Sequence, residues 1–117
     1  MPRKAAAPGR IYQLKITLKD SKPPIGRVEV ADDITLARLH RIIQVAMGWT
    51  DSHLHMFSAG RTDYGVPHPD DGGEIRDERR YKLSQLLTAP KQKLSYEYDF
   101  GDSWGHEVLL EQVREPE

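Results

Sequence analysis

The sequence predicts an α+β fold: a mostly antiparallel sheet built from hairpins, with one long amphipathic helix on one face, in the order ββαββ-α-ββ. Three observations predict it. Apolar and polar residues alternate over residues 11–18 and again over 94–100, the period of half-buried strands. Over residues 36–47 the apolar spacing changes to three and four, the period of a helix with one apolar face. The strand-like segments also come in pairs joined by turn residues, and do not alternate one by one with helices.

Each element has its own reason. Residues 1–9, rich in Ala, Pro and basic side chains, have nothing to bury and read as a disordered basic arm. Tyr12, Leu14, Ile16 and Leu18 point one way from the first strand; Gln13, Lys15, Thr17 and Lys19 point the other. Pro23 and Pro24 cannot serve a central ladder, so residues 20–24 form a turn, and the second strand follows with Val28 and Val30 inward. Thr35 is the expected N-cap of the main helix and Gly48 its stop. The apolar stripe is Leu36, Leu39, Ile43, Ala46 and Met47, with Ile42 alongside, and Trp49 packs behind it. A third strand over residues 50–59 puts His53, His55 and Phe57 on one face, and a short fourth strand surrounds Tyr64. Residues 66–80, with two prolines, paired glycines and mixed charges, read as a mobile polar loop. Ser84 is the expected cap of a short helix through Leu86 and Leu87. A last hairpin pairs Leu94, Tyr96, Tyr98 and Phe100 with Val108 and Leu110. A hairpin followed by a crossing helix has the shape of a β-grasp-like roll. The folded part is a single domain over residues 10–114, with a tail at 115–117.

Composition bounds the function. A chain of 117 residues, 38% hydrophobic and 30% charged, builds one domain with a modest core. The absence of cysteine excludes disulfides, thiolate zinc sites and cysteine nucleophiles, and fits a cytoplasmic protein. No apolar run is long enough for a membrane span, and no apolar segment follows Arg3 and Lys4 as a signal peptide requires. The net charge of −1 gives no global attraction to nucleic acid, although the first thirty residues carry seven basic side chains against two acidic ones.

The candidate chemistry gathers around the last hairpin. His53 and His55 form a His-x-His pair that shares one strand face. With His106, and with Asp99 or Asp102 as the carboxylate, they make an N/O set suited to a divalent metal such as zinc. The plainer reading of these histidines is surface or hydrogen-bonded groups, with no cofactor expected. Asp99 and Asp102 can divide acid and base roles, but Asp102 beside Gly101 also reads as a turn residue. Trp49 and Trp104, with Asp99 and Asp102, can line a ligand pocket; core packing is the simpler role for both tryptophans. The Tyr96, Tyr98 and Phe100 stripe is interleaved with Glu97 and Asp99, which repel phosphate, so it reads as core rather than as a nucleic-acid platform. No Ser-His-Asp order, phosphate loop, dinucleotide fingerprint or zinc-protease helix is present, and nothing compels an enzyme.

Several runs together resemble the plasmid pRiA4b ORF-3-like family: Ile11-Tyr12-Gln13-Leu14-Lys15-Ile16-Thr17-Leu18, Lys22-Pro23-Pro24-Ile25, Leu39-His40, Ala46-Met47-Gly48-Trp49, His53-Leu54-His55-Met56-Phe57 and, most specific, Tyr98-Asp99-Phe100-Gly101-Asp102-Ser103-Trp104-Gly105-His106. The resemblance covers residues 11–113. It implies a compact α+β domain and no established activity, so it carries over no functional residues. Some members travel on plasmids or as passengers of insertion sequences under a resolvase-like name; the serine and arginine cluster such an enzyme needs is missing here. One departure stands out. The family's usual Pro-Pro-Ile-Trp-Arg-Arg is here Pro23-Pro24-Ile25-Gly26-Arg27-Val28, without the aromatic.

These readings lead to an expectation of a small non-catalytic interaction or accessory module of a mobile-element-associated family. Its partner is a protein or a nucleic acid, it does not enter a membrane, and it is a monomer or weak homodimer. The alternative is a metal- or small-ligand-binding protein, extending to a hydrolytic enzyme, that uses the His/Asp/Trp residues named above.

Overall fold

The computed structural model describes residues 9–18, 26–48, 54–98 and 104–116. Residues 1–8 of the arm expected over 1–9, the turn at 20–24, Trp49 and the start of the third strand at 50–53, and the turn at 99–103 lie outside the described residues.

The first hairpin pairs β1 (Ile11–Leu18) with β2 (Gly26–Ala31). Helix α1 (Leu36–Met47) follows. The Thr35 hydroxyl accepts from Arg38 N at 3.2 Å, and Gly48 ends the helix at φ 72°, a left-handed conformation that glycine adopts without a Cβ penalty. Then come β3 (His55–Ala59), β4 (Thr62–Gly65) and β5 (Ile75–Asp77), a one-turn helix α2 (Leu83–Leu86), β6 (Lys93–Tyr98) and the long β7 (Trp104–Arg114). Two 3₁₀ turns, Pro69–Asp71 and Glu78–Arg80, flank β5.

The strands form one sheet in the order β2-β1-β7-β6-β3-β4-β5. The last hairpin therefore inserts between the first and the second. Tyr12, Leu14 and Ile16 of β1, Leu94, Tyr96 and Tyr98 of β6, and Val108 and Leu110 of β7 are buried on one face, as period-two alternation dictates. Leu36, Leu39 and Ile43 of α1 cover them. The register slips between Gln13 and Leu14 of β1, so Glu111 is an extra residue in β7. This bulge reverses the alternation and turns Val113 toward the core.

The expected ββαββ-α-ββ order and β-grasp-like roll need correction. Among the described residues the sheet has seven strands and is mixed, because β5 pairs parallel to β4. The second helix is a single turn, and Ser84 lies inside it instead of capping it; Gln85 Oε1 accepts from Lys82 N at 2.7 Å at its start. The loop expected over 66–80 holds β5 and both 3₁₀ turns. Ile75-Arg76-Asp77 has no apolar alternation of its own, so its strand state comes from the ladder that β4 offers. Among the described residues, no helix is long and apolar enough to cross a membrane.

Candidate functional site

Helix α1 presents more than apolar residues to the sheet. His40 and Gln44 are four apart, one turn of the buried face, and only 3% and 4% exposed. Ala46, expected on that face, is exposed instead. Facing the helix are His55 and Phe57 of β3, Tyr96 of β6 and His106 of β7. The sheet register puts Phe57, Tyr96 and His106 in one row and His55, Tyr98 and Trp104 in the next.

These side chains form a hydrogen-bonded cluster. Gln44 Nε2 donates to the Tyr96 hydroxyl at 3.0 Å, and that hydroxyl lies 2.7 Å from His40 Nδ1. A hydroxyl has one proton and two lone pairs, so Tyr96 can accept from Gln44 while giving its proton to His40. The imidazoles of His40 and His55 stack with centroids 3.4 Å apart. His55 Nε2 donates to Glu78 Oε1 at 2.7 Å, and both side chains are nearly closed to water. His106 Nδ1 lies 3.3 Å from the Tyr96 carbonyl; since a carbonyl only accepts, that nitrogen carries the hydrogen.

Glu78 reaches this cluster because the residue before it is clamped. Asp77 Oδ1 accepts from Arg79 N at 3.0 Å and caps the 3₁₀ turn, and the Arg79 guanidinium folds back on the same carboxylate at 3.1 and 2.9 Å. The Arg79 side chain, helped by its backbone N–H, holds the Asp77 carboxyl down to about 2.

Of the predicted site residues, His55 and His106 lie on the same sheet face but on opposite sides of β6. Each lies against Tyr96, with ring centroids 6.2 and 5.8 Å away. Trp104 opens β7 in register with Tyr98. Trp49, His53, Asp99 and Asp102 lie outside the described residues. Among the described residues, no three His, Asp or Glu side chains are gathered to hold a metal ion. The stacked rings of His40 and His55 explain why this pair makes no chelate: imidazole lone pairs lie in the ring plane, so neither ring aims one at an ion over the other's face. The carboxylate that does meet His55 is Glu78, from a segment whose sequence reads as loop, and no local pattern marks it. His40 and Gln44 had a signal, their phase with Leu36, Ile43 and Met47.

A second feature lies at the other side of the helix. A trough of about 580 Å³ runs between α1 and β2, lined by Val28, Ile42, Val45, Ala46, Arg38 and Arg41. Val45 is 82% exposed. Gly26 shares the face of Val28, and a Cβ built on it meets nothing within 4 Å, so the trough stays open toward the start of β2. Among the described residues, neither arginine side chain pairs with a carboxylate. The charges on the opposite face of β2 are neutralised: Arg27 Nε meets Glu111 at 2.9 Å, which lowers the Glu111 pKa, and Arg114 pairs with Glu29.

Comparison with known proteins gives three findings. The family model for plasmid pRiA4b ORF-3-like proteins matches residues 10–117. The uncharacterized protein y4hQ of Sinorhizobium fredii is 38% identical over 105 residues, covering 88% of this chain and 54% of its own length. The crystal structure of a protein of unknown function, MM3350 from Methanosarcina mazei Go1, superposes with a TM-score of 0.86 at 34% identity, covering 95% of this chain and 65% of that one. The chain thus spans about half the length of the first relative and under two thirds of the second.

Proposed function

Since the chain belongs to the plasmid pRiA4b ORF-3-like family, whose relatives above bring no activity with them, we propose a function from its own surfaces: a non-catalytic interaction module that docks a partner protein in the trough between α1 and β2. One observation carries this reading. Apolar side chains line an open trough at a sheet edge, and two arginines without carboxylate partners among the described residues rim it. Such a combination of apolar floor and charged rim is the anatomy of a recognition surface. The inward-facing His cluster, by contrast, directs most of its polar atoms into internal hydrogen bonds, which suits a structural role.

A protein partner is favoured over nucleic acid. The net charge is −1, and phosphates would leave Val28, Ile42 and Val45 unmatched. The test is a random peptide library displayed on phage and panned on the full chain, with counter-selection on Gly26→Trp and Val45→Glu, two changes that block the trough at positions with room for them. Peptides that bind the wild type and fail on both variants are expected. Binders that ignore both changes would sink the reading, as would an empty selection, and a DNA duplex bound with steep salt dependence would replace it.

A second reading has its own observation. Because Glu78 accepts from His55 Nε2–H, Nδ1 is the ring nitrogen that can offer a lone pair, the arrangement by which a carboxylate orients a metal-binding or ligand-binding imidazole. Here His55, with His53, Asp99 or Asp102, would bind a divalent metal such as zinc. Calorimetric titration of zinc into the wild type and into His55→Gln decides it, and equal heats would dismiss it.

A further inference from the structure

We infer that the trough takes an extended, acidic segment of a partner protein, which adds to β2 as a further strand and places its carboxylates on Arg38 and Arg41. This names the partner chemistry of the docking surface proposed above and rests on that proposal.

Three observations converge on this occupant. First, among the described residues β2 ends the sheet: its six residues pair with β1 on one side only, so its other side offers backbone N–H and C=O groups to an incoming strand. Second, the trough lies beside that edge and beneath the flank of α1. A strand added at the usual spacing of about 4.8 Å would continue the sheet, and every second side chain would meet Ile42, Val45 and Ala46. Third, Arg38 and Arg41 are three residues apart on α1 and share one flank, both exposed. A guanidinium recognises carboxylates through two parallel hydrogen bonds, so acidic residues are the groups this rim selects.

Other occupants answer only part of this. A helix would fill the trough but leave the β2 edge unpaired. A second copy joined edge to edge about a two-fold axis would set α1 beside α1, bringing Arg38 and Arg41 of both copies to one seam with like charges opposed. The extended acidic segment satisfies the edge, the floor and the rim together.

The selected peptides test this directly. They are expected to carry both apolar residues and Asp or Glu at alternate positions, because only every second side chain of an added strand faces α1. A fluorescein-labelled synthetic copy should bind the full chain and lose at least ten-fold in affinity on Arg38→Glu/Arg41→Glu, an exposed pair whose change circular dichroism should show to be silent for folding. Amide exchange should slow at residues 28–31 when the peptide is bound. Trough-dependent peptides that are neutral or basic, that keep their affinity after the charge reversal, or that leave exchange at β2 unchanged would overturn the inference while leaving the docking surface intact. A selection with no trough-dependent peptide would instead remove the docking surface. Sedimentation showing a dimer that Val45→Glu dissolves would assign the trough to a second copy.

Discussion

The imidazole rings of His40 and His55 lie face to face, with centroids 3.4 Å apart and planes inclined by 10°. They belong to α1 and β3, and each ring is held by its edge: His40 through Tyr96 on β6, His55 through Glu78 on the 3₁₀ turn after β5. One stack thus fastens the helix, the middle of the sheet and its β5 end. Buried polar networks of this kind stabilise only when every member is satisfied, which makes each partner a sensitive position.

Tyr96→Phe should be costly although it removes one oxygen. Tyr96 is fully buried, and its hydroxyl serves both His40 Nδ1 and Gln44 Nε2. Phenylalanine keeps the ring contact with Phe57 at 4.8 Å but leaves those two groups without that partner. A loss of about 1–3 kcal/mol is expected. Urea denaturation should show the drop with an unchanged m-value; an unaltered midpoint would mean that the network contributes nothing net.

The His55–Glu78 pair should behave as a unit. His55→Leu leaves a buried carboxylate facing an apolar side chain, and a loss of about 3 kcal/mol is expected. Adding Glu78→Leu should recover much of that loss, because the stranded charge is gone. Additive losses in the double-mutant cycle would show that the two groups act independently.

Asp77 gives the chain a defined acid response. Its carboxyl sits at about 2, below its ordinary 3.8, chiefly through the Arg79 side chain. A depressed carboxyl stabilises the folded state above its ordinary value, and the contribution is lost as pH falls from 3.8 through about 2. Arg79→Ala should return Asp77 toward 3.8 in a carboxyl carbon NMR titration and flatten the slope of stability against pH in that window. At the alkaline end, Tyr12 is raised above 10.0 by burial and by Asp32. Its contribution is complete below pH 10.0 and is lost above it, as the folded phenol resists ionisation. Tyr12→Phe should remove that alkaline slope.

The caps of α1 should each be worth about as much as such caps generally are. Thr35→Ala removes the acceptor for Arg38 N and should cost about 1 kcal/mol. Gly48→Ala puts a Cβ at φ 72° and should cost about 1–2 kcal/mol. Gly26→Ala is the control: with nothing within 4 Å of the new Cβ, thermal unfolding should stay close to wild type.

By itself the sequence determined what depends on neighbours along the chain. Period-two alternation marked the burial of Tyr12, Leu14 and Ile16 and of Tyr96 and Tyr98, and Thr35 and Gly48 marked the ends of α1, because strand pleat and helix caps are local stereochemistry. The family, too, was legible, from runs of specific residues. The tertiary structure alone decided the sheet order, which slots the last hairpin between the first two, and the parallel pairing that makes a strand of Ile75-Arg76-Asp77. It also decided the partners of His55. Sequence spacing suggested His106 and the neighbouring aspartates, whereas the described residues set Glu78, twenty-three positions away, against one edge of the ring and His40 against its face. The trough was equally hidden, because Val28 and Ile42 each read as ordinary core residues, and only the way α1 crosses the sheet leaves β2 partly uncovered. Contacts between distant segments are fixed by how whole faces pack, and the free energy of that packing is not written in any single stretch of chain.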